Sequence, residues 1–365
     1  MSGAAMHPVL IMAGGTGGHV MPGLAVASAL QARGQSVHWL GAQGGMEERL
    51  VQERGLPFTG LRVAGVRGKR WRHQLNALWQ LLQSVFAARA LLQRLQPRCV
   101  LSFGGFASGP GGLAAALARV PLIVHEQNSV AGLTNRVLAR FAQRVLCAFA
   151  GVLPRAEAVG NPVRAEIEAL ATQAERAAGP LRILVLGGSQ GARALNELVP
   201  KALALLPAPQ RPAVVHQCGR VALESTQASY AAADVAAQIE PFITDMAQAY
   251  ANCDLLICRA GALTVAEICA AARSAIFIPF PQAVDDHQTR NARWLLERGS
   301  GALLPQSEAT PERLCQLLQG YLQDPAQARR DGLRNLALHH PKAAERIAEA
   351  ALQTGSAAQS IRTGQ

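Results

Sequence analysis

The sequence predicts an α/β protein built from two doubly wound parallel-sheet domains that face a central cleft. Three observations lead there. The chain has 365 residues, enough for about two domains at roughly 150 residues each. Half of it is hydrophobic and only 4% aromatic, so Ala, Leu and Val fill the cores, a composition suited to alternating strands and helices. The same strand, Gly-Gly turn and helix also occur twice, in "PVLIMAGGTGGHVMPGLAV" (8–26) and "RILVLGGSQGARALNELV" (182–199).

Taken in order, the apolar run Val9–Ile11 feeds residues 12–23, which hold five glycines and His19, and a helix is expected over Pro22–Gln31. "CVLSFGG", "PLIVHEQ" and "RVLCAF" then read as short buried strands separated by helical stretches. "GNPVR" (160–164) and the Ala- and Glu-rich stretch up to Gly179 read as the linker, which divides the chain into domains 1–160 and 161–335. In the second half "PAVVHQCG", "AAQIEPF", "DLLICRAG" and "SAIFIPF" repeat the strand pattern. Residues 336–353, with "HHPKAAERIAEAALQ", read as an amphipathic helix, and 354–365 as a small, polar, disordered tail. Ligands of such sheets bind beyond the carboxyl ends of the strands, so both Gly turns are expected at a shared cleft.

Neither turn is a dinucleotide fingerprint. "GTGGHV" has Val20 where G-x-G-x-x-G needs its last glycine, and "GGSQGA" has Ser189 at the second. No phosphate-binding G-x-x-x-x-G-K-[ST] is present. Seven cysteines, none in a C-x-x-C pair, speak against a zinc site and a disulfide framework, and fit a reducing cytoplasm. The uncharged first 32 residues lack a basic n-region, and glycines interrupt both this stretch and Val100–Ala118, so neither an export signal nor a membrane span is expected. The net charge of +11 lies wholly in residues 1–160, where 16 Lys and Arg face 5 Asp and Glu; the remainder balances at 19 against 19. The first domain therefore faces something anionic. No stacking aromatics are interleaved with its arginines, so nucleic acid is not expected.

Two side chains stand out chemically. His19 sits on the first Gly turn; an unperturbed histidine titrates near neutrality, which suits a general base, or else it positions an acceptor or phosphate. In "CRAGALTVAEICA" (258–270), Gly261 opens a helix whose N-terminus suits a diphosphate. One turn on, Glu267 either accepts from both hydroxyls of a ribose or complements the helix dipole.

Eight motifs occur in order: "GGTGGHV.PG", "GVRGK" (65–69), "GGFASGPGG" (104–112), "HEQN" (125–128), "GNPVR", "GGSQGAR" (187–193), "CRAGALTVAE" and "DDHQ..NA" (285–292). From about residue 8 to 350 the chain closely resembles the bacterial cell-wall N-acetylglucosaminyltransferases of glycosyltransferase family 28, the MurG family. The resemblance implies the GT-B fold of two Rossmann-like domains, with the last helix crossing back onto the first. It implies transfer of N-acetylglucosamine from UDP-N-acetylglucosamine to lipid I, with inversion, to form the β-1,4 linkage of lipid II in peptidoglycan synthesis. By position, Thr16, Gly17 and Gly18 then lie beside diphosphate and acceptor, and the resemblance supports His19 as the base. Asn128, Arg164, Ser189, Ile243, Ala262, Leu263, Thr264, Val265, Ala266, Glu267 and Gln288 contact the donor. The backbone at Ile243 reads the uracil edge, Glu267 holds the ribose, and Gln288 meets sugar hydroxyls.

The sequence has no Asp-x-Asp pair to hold a metal on the diphosphate. The start of the helix at Ala262, with Ser189, Arg164 and Arg259, takes that role, so no metal and no cofactor are expected. His125 and Glu126 are alternative bases, or else stiffen the turn that presents Asn128. A UDP-N-acetylglucosamine epimerase and a non-catalytic nucleotide-sugar-binding membrane adaptor are the competing functions. A lipid-linked acceptor places the enzyme peripherally on the cytoplasmic face of the inner membrane. The expected docking face is Val63–Arg72, with Arg67, Lys69, Arg70 and Arg72, running into a stripe of Trp71, Leu75, Leu78, Trp79, Leu82, Val85 and Phe86 at helical spacing, which is alternatively core and whose later half is expected to be core.

Overall fold

The computed structural model describes residues 7–62, 71–173, 179–188 and 191–363. Contacts divide the chain into two compact units, Met1–Pro162 with Lys342–Gln365, and Val163–Pro341.

The N-terminal unit runs β1 (Val9–Ala13), α1 (Gly17–Gln31), β2 (Val37–Ala42), α2 (Met46–Gln52), β3 (Phe58–Leu61), α3 (Trp71–Leu95), β4 (Cys99–Gly104), α4 (Ser108–Leu117), β5 (Leu122–Glu126), α5 (Leu133–Leu138), β6 (Arg144–Cys147) and β7 (Glu157–Ala158). Its sheet has the order β3-β2-β1-β4-β5-β6-β7, with parallel pairings such as Val9 with both Val37 and Cys99. Every residue of β1, β4 and β5 is buried, the continuous apolar pattern of a parallel sheet covered on both faces. Val9, Ile11, Leu101 and Ile123 pack with α1 on one face, while Leu10, Met12, Val100 and Val124 pack with α3, α4 and α5 on the other.

The C-terminal unit runs α6 (Ala165–Glu168), β8 (Arg182–Leu186), α7 (Arg193–Ala204), β9 (Ala213–Gln217), α8 (Leu223–Ala232), β10 (Gln238–Glu240), α9 (Met246–Ala251), β11 (Leu255–Cys258), α10 (Ala262–Ala270), β12 (Ser274–Phe277), α11 (His287–Arg298), β13 (Ala302–Leu303), α12 (Pro311–Gln323) and α13 (Pro325–Leu336). Its parallel sheet has the order β10-β9-β8-β11-β12-β13. Strand order reverses between β1 and β4 in one sheet and between β8 and β11 in the other. Ligands of open α/β sheets bind beyond the carboxyl ends of the strands at such switch points. The glycine-rich turns after β1, β4, β8 and β11 are therefore where the topology puts chemistry.

The structure departs from the sequence reading at several boundaries. The first helix starts at Gly17, not Pro22, and Pro22 lies inside it. Thr16, in extended conformation, is its N-cap, so Gly17, Gly18 and His19 form its first turn instead of a loop. Between α13 and the last helix, Pro341 and the left-handed Lys342 (φ 55°) break the helical path, so that α14 begins at Ala343 and not near 336. It then runs to Thr363, through residues read as a disordered tail. Its buried face, Ile347, Ala348, Ala350 and Ala351, joins the core of the N-terminal unit, and Arg98 there donates to Ser356 Oγ at 2.6 Å. The stretch after "GNPVR" is not a bare linker, because residues 165–173 are helical and belong to the C-terminal unit.

The proposed docking cations Arg67, Lys69 and Arg70 lie outside the described residues, as do the side chains from Trp71 to Leu78. The rest of the stripe splits: Val85 is buried, whereas Trp79, Leu82 and Phe86 are exposed. Among the described residues, no helix is long and apolar enough to cross a membrane.

Candidate functional site

In the N-terminal unit, β1 delivers the chain into the turn Gly14–Thr16. Helix α1 then starts with neither a side-chain cap nor an acidic residue in its first turn, so its dipole and its first amides, Gly17 and Gly18, suit an anion, while the His19 and Val20 N–H groups donate to the Thr16 carbonyl. His19 Nδ1 lies 3.2 Å from the Gly14 carbonyl oxygen and 3.3 Å from Thr16 Oγ1. A carbonyl only accepts, so the bond to Gly14 requires Nδ1–H and makes Nε2 the basic nitrogen. The next strand end closes over this turn. Gly105 has φ +96°, and a Cβ there would collide with the Gly14 carbonyl, so only glycine fits.

The "HEQN" turn follows β5. His125 is fully buried, its Nε2 donating to the Gly160 carbonyl at 2.9 Å and its Nδ1 accepting from Gln127 at 3.0 Å. Burial pushes its pKa down to about 4, so it stays neutral. Glu126, also buried, accepts from the backbone N–H of Asn128 at 2.9 Å, from that of Gly132 at 3.2 Å, and from the Asn135 amide at 2.9 Å. Both alternative bases are thus tied into the turn that carries the half-buried Asn128.

In the C-terminal unit, α10 starts at Ala262 behind Gly261, again without a side-chain cap or a first-turn acid. The residues Ala262, Leu263, Thr264, Val265 and Ala266 form its first turns, and Glu267 follows one turn on. Glu267 is held from two sides: Arg164 Nη2 donates to Oε1 at 2.6 Å, and the Tyr250 hydroxyl donates to Oε2 at 3.2 Å. Arg164 is the N-cap residue of α6, so the chain entering this unit brings it beside α10. Tyr250 is fully buried, and desolvation, with the negative charge of Glu267 beside it, raises its pKa well above the ordinary value.

Arg259 is tied to the backbone through one of its guanidinium nitrogens. Its Nη1 donates to the carbonyls of Ile278 and Pro279 at 2.8 and 3.0 Å, and its guanidinium lies over the Phe280 ring. It pins the loop after β12, where Phe280 N–H donates to Gln288 Oε1 at 2.9 Å. Asn291 of α11 donates to the Ala260 carbonyl at 3.2 Å and ties α11 to the start of α10. Ile243 lies half-buried in the loop between β10 and α9. Ser189 lies outside the described residues. Buried His216 bonds Asn196, which in turn donates to the Cys218 carbonyl, and at Gly191 (φ +77°) a side chain would strike that carbonyl.

The structure thus gathers Arg164, Glu267 and the start of α10 in one unit, and Thr16, Gly17, Gly18 and His19 in the other. Sequence reasoning missed two residues of these constellations. One is Tyr250. The other is Glu47 at the start of α2, fully buried, which accepts from the backbone N–H of Ala42 at 2.8 Å and of Gly15 at 3.3 Å. The available signal for Glu47 was spatial: Gly14, Gly41 and Gly45 each have a missing Cβ that would collide with its side chain.

Two parallel, doubly wound units, with uncapped helix starts at the strand-order reversals and a paired carboxylate behind one of them, have the architecture of GT-B glycosyltransferases. Residues 9–147 match the glycosyltransferase family 28 N-terminal domain, and residues 182–347 the family 28 C-terminal domain. The chain belongs to glycosyltransferase family 28. It is 54% identical, over 96% of its length and 83% of the relative's, to the UDP-N-acetylglucosamine–N-acetylmuramyl-(pentapeptide) pyrophosphoryl-undecaprenol N-acetylglucosamine transferase of Xanthomonas axonopodis pv. citri. To the enzyme of the same name from Ralstonia nicotianae it is 51% identical over 93% of this chain and 94% of that one. The crystal structure of Acinetobacter baumannii MurG superimposes with a TM-score of 0.84 at 42% identity, covering 94% of this chain and 99% of that one.

Proposed function

We propose that this chain transfers N-acetylglucosamine from UDP-N-acetylglucosamine to lipid I, forming the β-1,4 linkage of lipid II with inversion. The observation that carries the proposal is the 54% identity over 96% of the chain to a relative named for that transfer. Both units are covered, so the likeness includes the Gly turn with His19 as well as the α10 start with Glu267.

The chemistry is consistent with the residues. An inverting transfer is one in-line displacement through an oxocarbenium-like state. The acceptor hydroxyl loses a proton to a base, and the leaving diphosphate must be stabilised. His19 is the base we assign, with Nε2 the lone-pair nitrogen of the tautomer that donates to Gly14. Thr16, Gly17 and Gly18 lie beside it for the acceptor. The N-terminus of α10, Ala262–Ala266, receives the diphosphate, with Ser189 and the remaining guanidinium donors of Arg164. Glu267 accepts from the ribose hydroxyls, the Ile243 backbone meets the uracil edge, and Asn128 and Gln288 contact the sugar. The transfer needs no metal in this scheme, since helix dipole and arginine supply the positive potential.

We also place the enzyme peripherally on the cytoplasmic leaflet. On the outer side of the helix layer α3–α5, Trp79, Leu82, Phe86, Leu113, Leu117, Leu133, Val137 and Phe141 are exposed, with Arg136 and Arg140 among them. An apolar surface bearing cations suits an anionic bilayer. The test of the function is release of UDP from UDP-N-acetylglucosamine with and without a lipid-I analogue. Release that depends on the analogue is expected; turnover of the sugar nucleotide alone would favour the epimerase reading.

A further inference from the structure

We infer that Glu47 is a positioning residue that selects the working tautomer of His19 through the single peptide group between Gly14 and Gly15. The inference rests on His19 being the base. The two ends of one peptide are engaged at once: the N–H of Gly15 donates to Glu47 Oε2 at 3.3 Å, while the carbonyl of Gly14 accepts from His19 Nδ1 at 3.2 Å. In a trans peptide the N–H and C=O point in opposite directions, so carboxylate, amide and imidazole form a relay. A carboxylate pulling on the N–H polarises the amide and makes its oxygen a stronger acceptor. Such cooperative strengthening is estimated at about 10–30% per bond.

The polarisation matters because His19 Nδ1 has a choice. Thr16 Oγ1 lies 3.3 Å away, almost as close as the Gly14 oxygen. If the threonine hydroxyl donates to Nδ1, the ring proton moves to Nε2 and the basic nitrogen is lost to the acceptor. If Nδ1–H donates to Gly14, Nε2 keeps its lone pair. The enriched Gly14 oxygen tips the balance toward the second state, as a carboxylate bonded directly to a histidine does in other enzymes.

Two further features show that the carboxylate is built in. A buried carboxylate without a cation is costly unless backbone donors satisfy it, and here two backbone N–H groups, of Ala42 and Gly15, do so. Three glycines (Gly14, Gly41 and Gly45), from β2 and from the turns after β1 and β2, leave the space that its side chain fills, and Gly105 closes over the same Gly14 carbonyl.

The test is Glu47→Gln in the full-length chain. The glutamine oxygen keeps the shorter bond to Ala42 N–H, and its NH₂ then faces Gly15 N–H, so the relay is broken at the intended link. We expect kcat to fall about 10-fold or more, with KM for UDP-N-acetylglucosamine within about twofold of wild type because the donor residues are untouched. The tautomer of His19, read from long-range ¹H–¹⁵N spectra with His19→Ala for assignment, should be Nδ1–H in wild type and shift toward Nε2–H in the variant. An unchanged tautomer with unchanged kcat overturns the relay, as does an unchanged tautomer with kcat lost only in step with folded fraction. If the variant does not fold, the wild-type spectrum decides, and an Nε2–H tautomer there refutes the inference. Full activity of His19→Ala would instead refute the base assignment, a separate result.

Discussion

Replacing Glu267 by alanine separates a donor-binding role from a merely structural one. In the structure its carboxylate accepts from Arg164 at 2.6 Å and from Tyr250 at 3.2 Å, and its side chain is 14% exposed, which leaves lone pairs for a ligand. A hydrogen bond to a charged acceptor contributes about 1.5–3 kcal/mol. If the ribose hydroxyls are bound here, Glu267→Ala should raise the Kd for UDP-N-acetylglucosamine by about 10- to 150-fold. The same change strands the fully buried Tyr250 hydroxyl, which costs about 1–3 kcal/mol of stability. Adding Tyr250→Phe removes the orphaned hydroxyl, so the double variant should regain most of the lost stability while its affinity stays low. Titration calorimetry and chemical unfolding of the full-length protein measure the two quantities separately. Unchanged affinity in Glu267→Ala would remove this carboxylate from the donor site. Affinity restored together with stability in the double variant would show that the loss was a folding effect.

His19→Ala should lower turnover by about 100-fold or more while donor affinity stays nearly intact, and a chelator should leave the wild-type rate unchanged; an active variant contradicts the base, and chelator inhibition contradicts the metal-free scheme. Burial lowers the pKa of both His125 and His216 from 6.5 to about 4, so the unfolded chain takes up protons that the folded one refuses. Their contribution to stability is present above pH 6.5 and is lost as pH falls toward 4, by about 3 kcal/mol for each histidine. Denaturant unfolding at pH 7 and 4.5 should show a smaller loss in His125→Gln and His216→Gln than in wild type, and an equal loss would refute the assignment. Vesicle sedimentation should pellet the wild type with anionic lipid in a salt-sensitive manner, and Trp79→Ser with Phe86→Ser should pellet less; equal pelleting moves the docking face elsewhere.

Much of the architecture was legible because parallel sheets write themselves as short, continuous apolar runs, and β1, β4, β8 and β11 all lie where those runs stand. Glycine clusters marked the turns at the strand-order reversals for the same reason: close backbone approach excludes side chains, as Gly105 against the Gly14 carbonyl shows. Helix limits were less legible. Gly17 and Gly18 have poor helix propensity and Pro22 suggests a start, yet tertiary packing of Val20, Leu24 and Ala27 extends α1 back to Gly17. The tail past Thr354 is small and polar, but Thr354 and Ser356 bond back to Ala350 and Leu352, and Arg98 holds Ser356. Partnerships between distant residues were illegible. No local pattern links Glu47 to Gly15 or Tyr250 to Glu267, because each pair meets only after the sheet has formed. Nor does any local pattern show that Arg259 Nη1 donates to the Ile278 and Pro279 carbonyls.

Transfer of one sugar with inversion to a lipid-linked acceptor is the reaction proposed for this chain. Its most direct test incubates the full-length protein with labelled UDP-N-acetylglucosamine and a lipid-I analogue, then determines the anomeric configuration of the product by NMR. Labelled N-acetylglucosamine should appear on the analogue in a β-1,4 linkage, formed without added metal and lost in His19→Ala. An α linkage, or label that never leaves the nucleotide, would contradict that reaction.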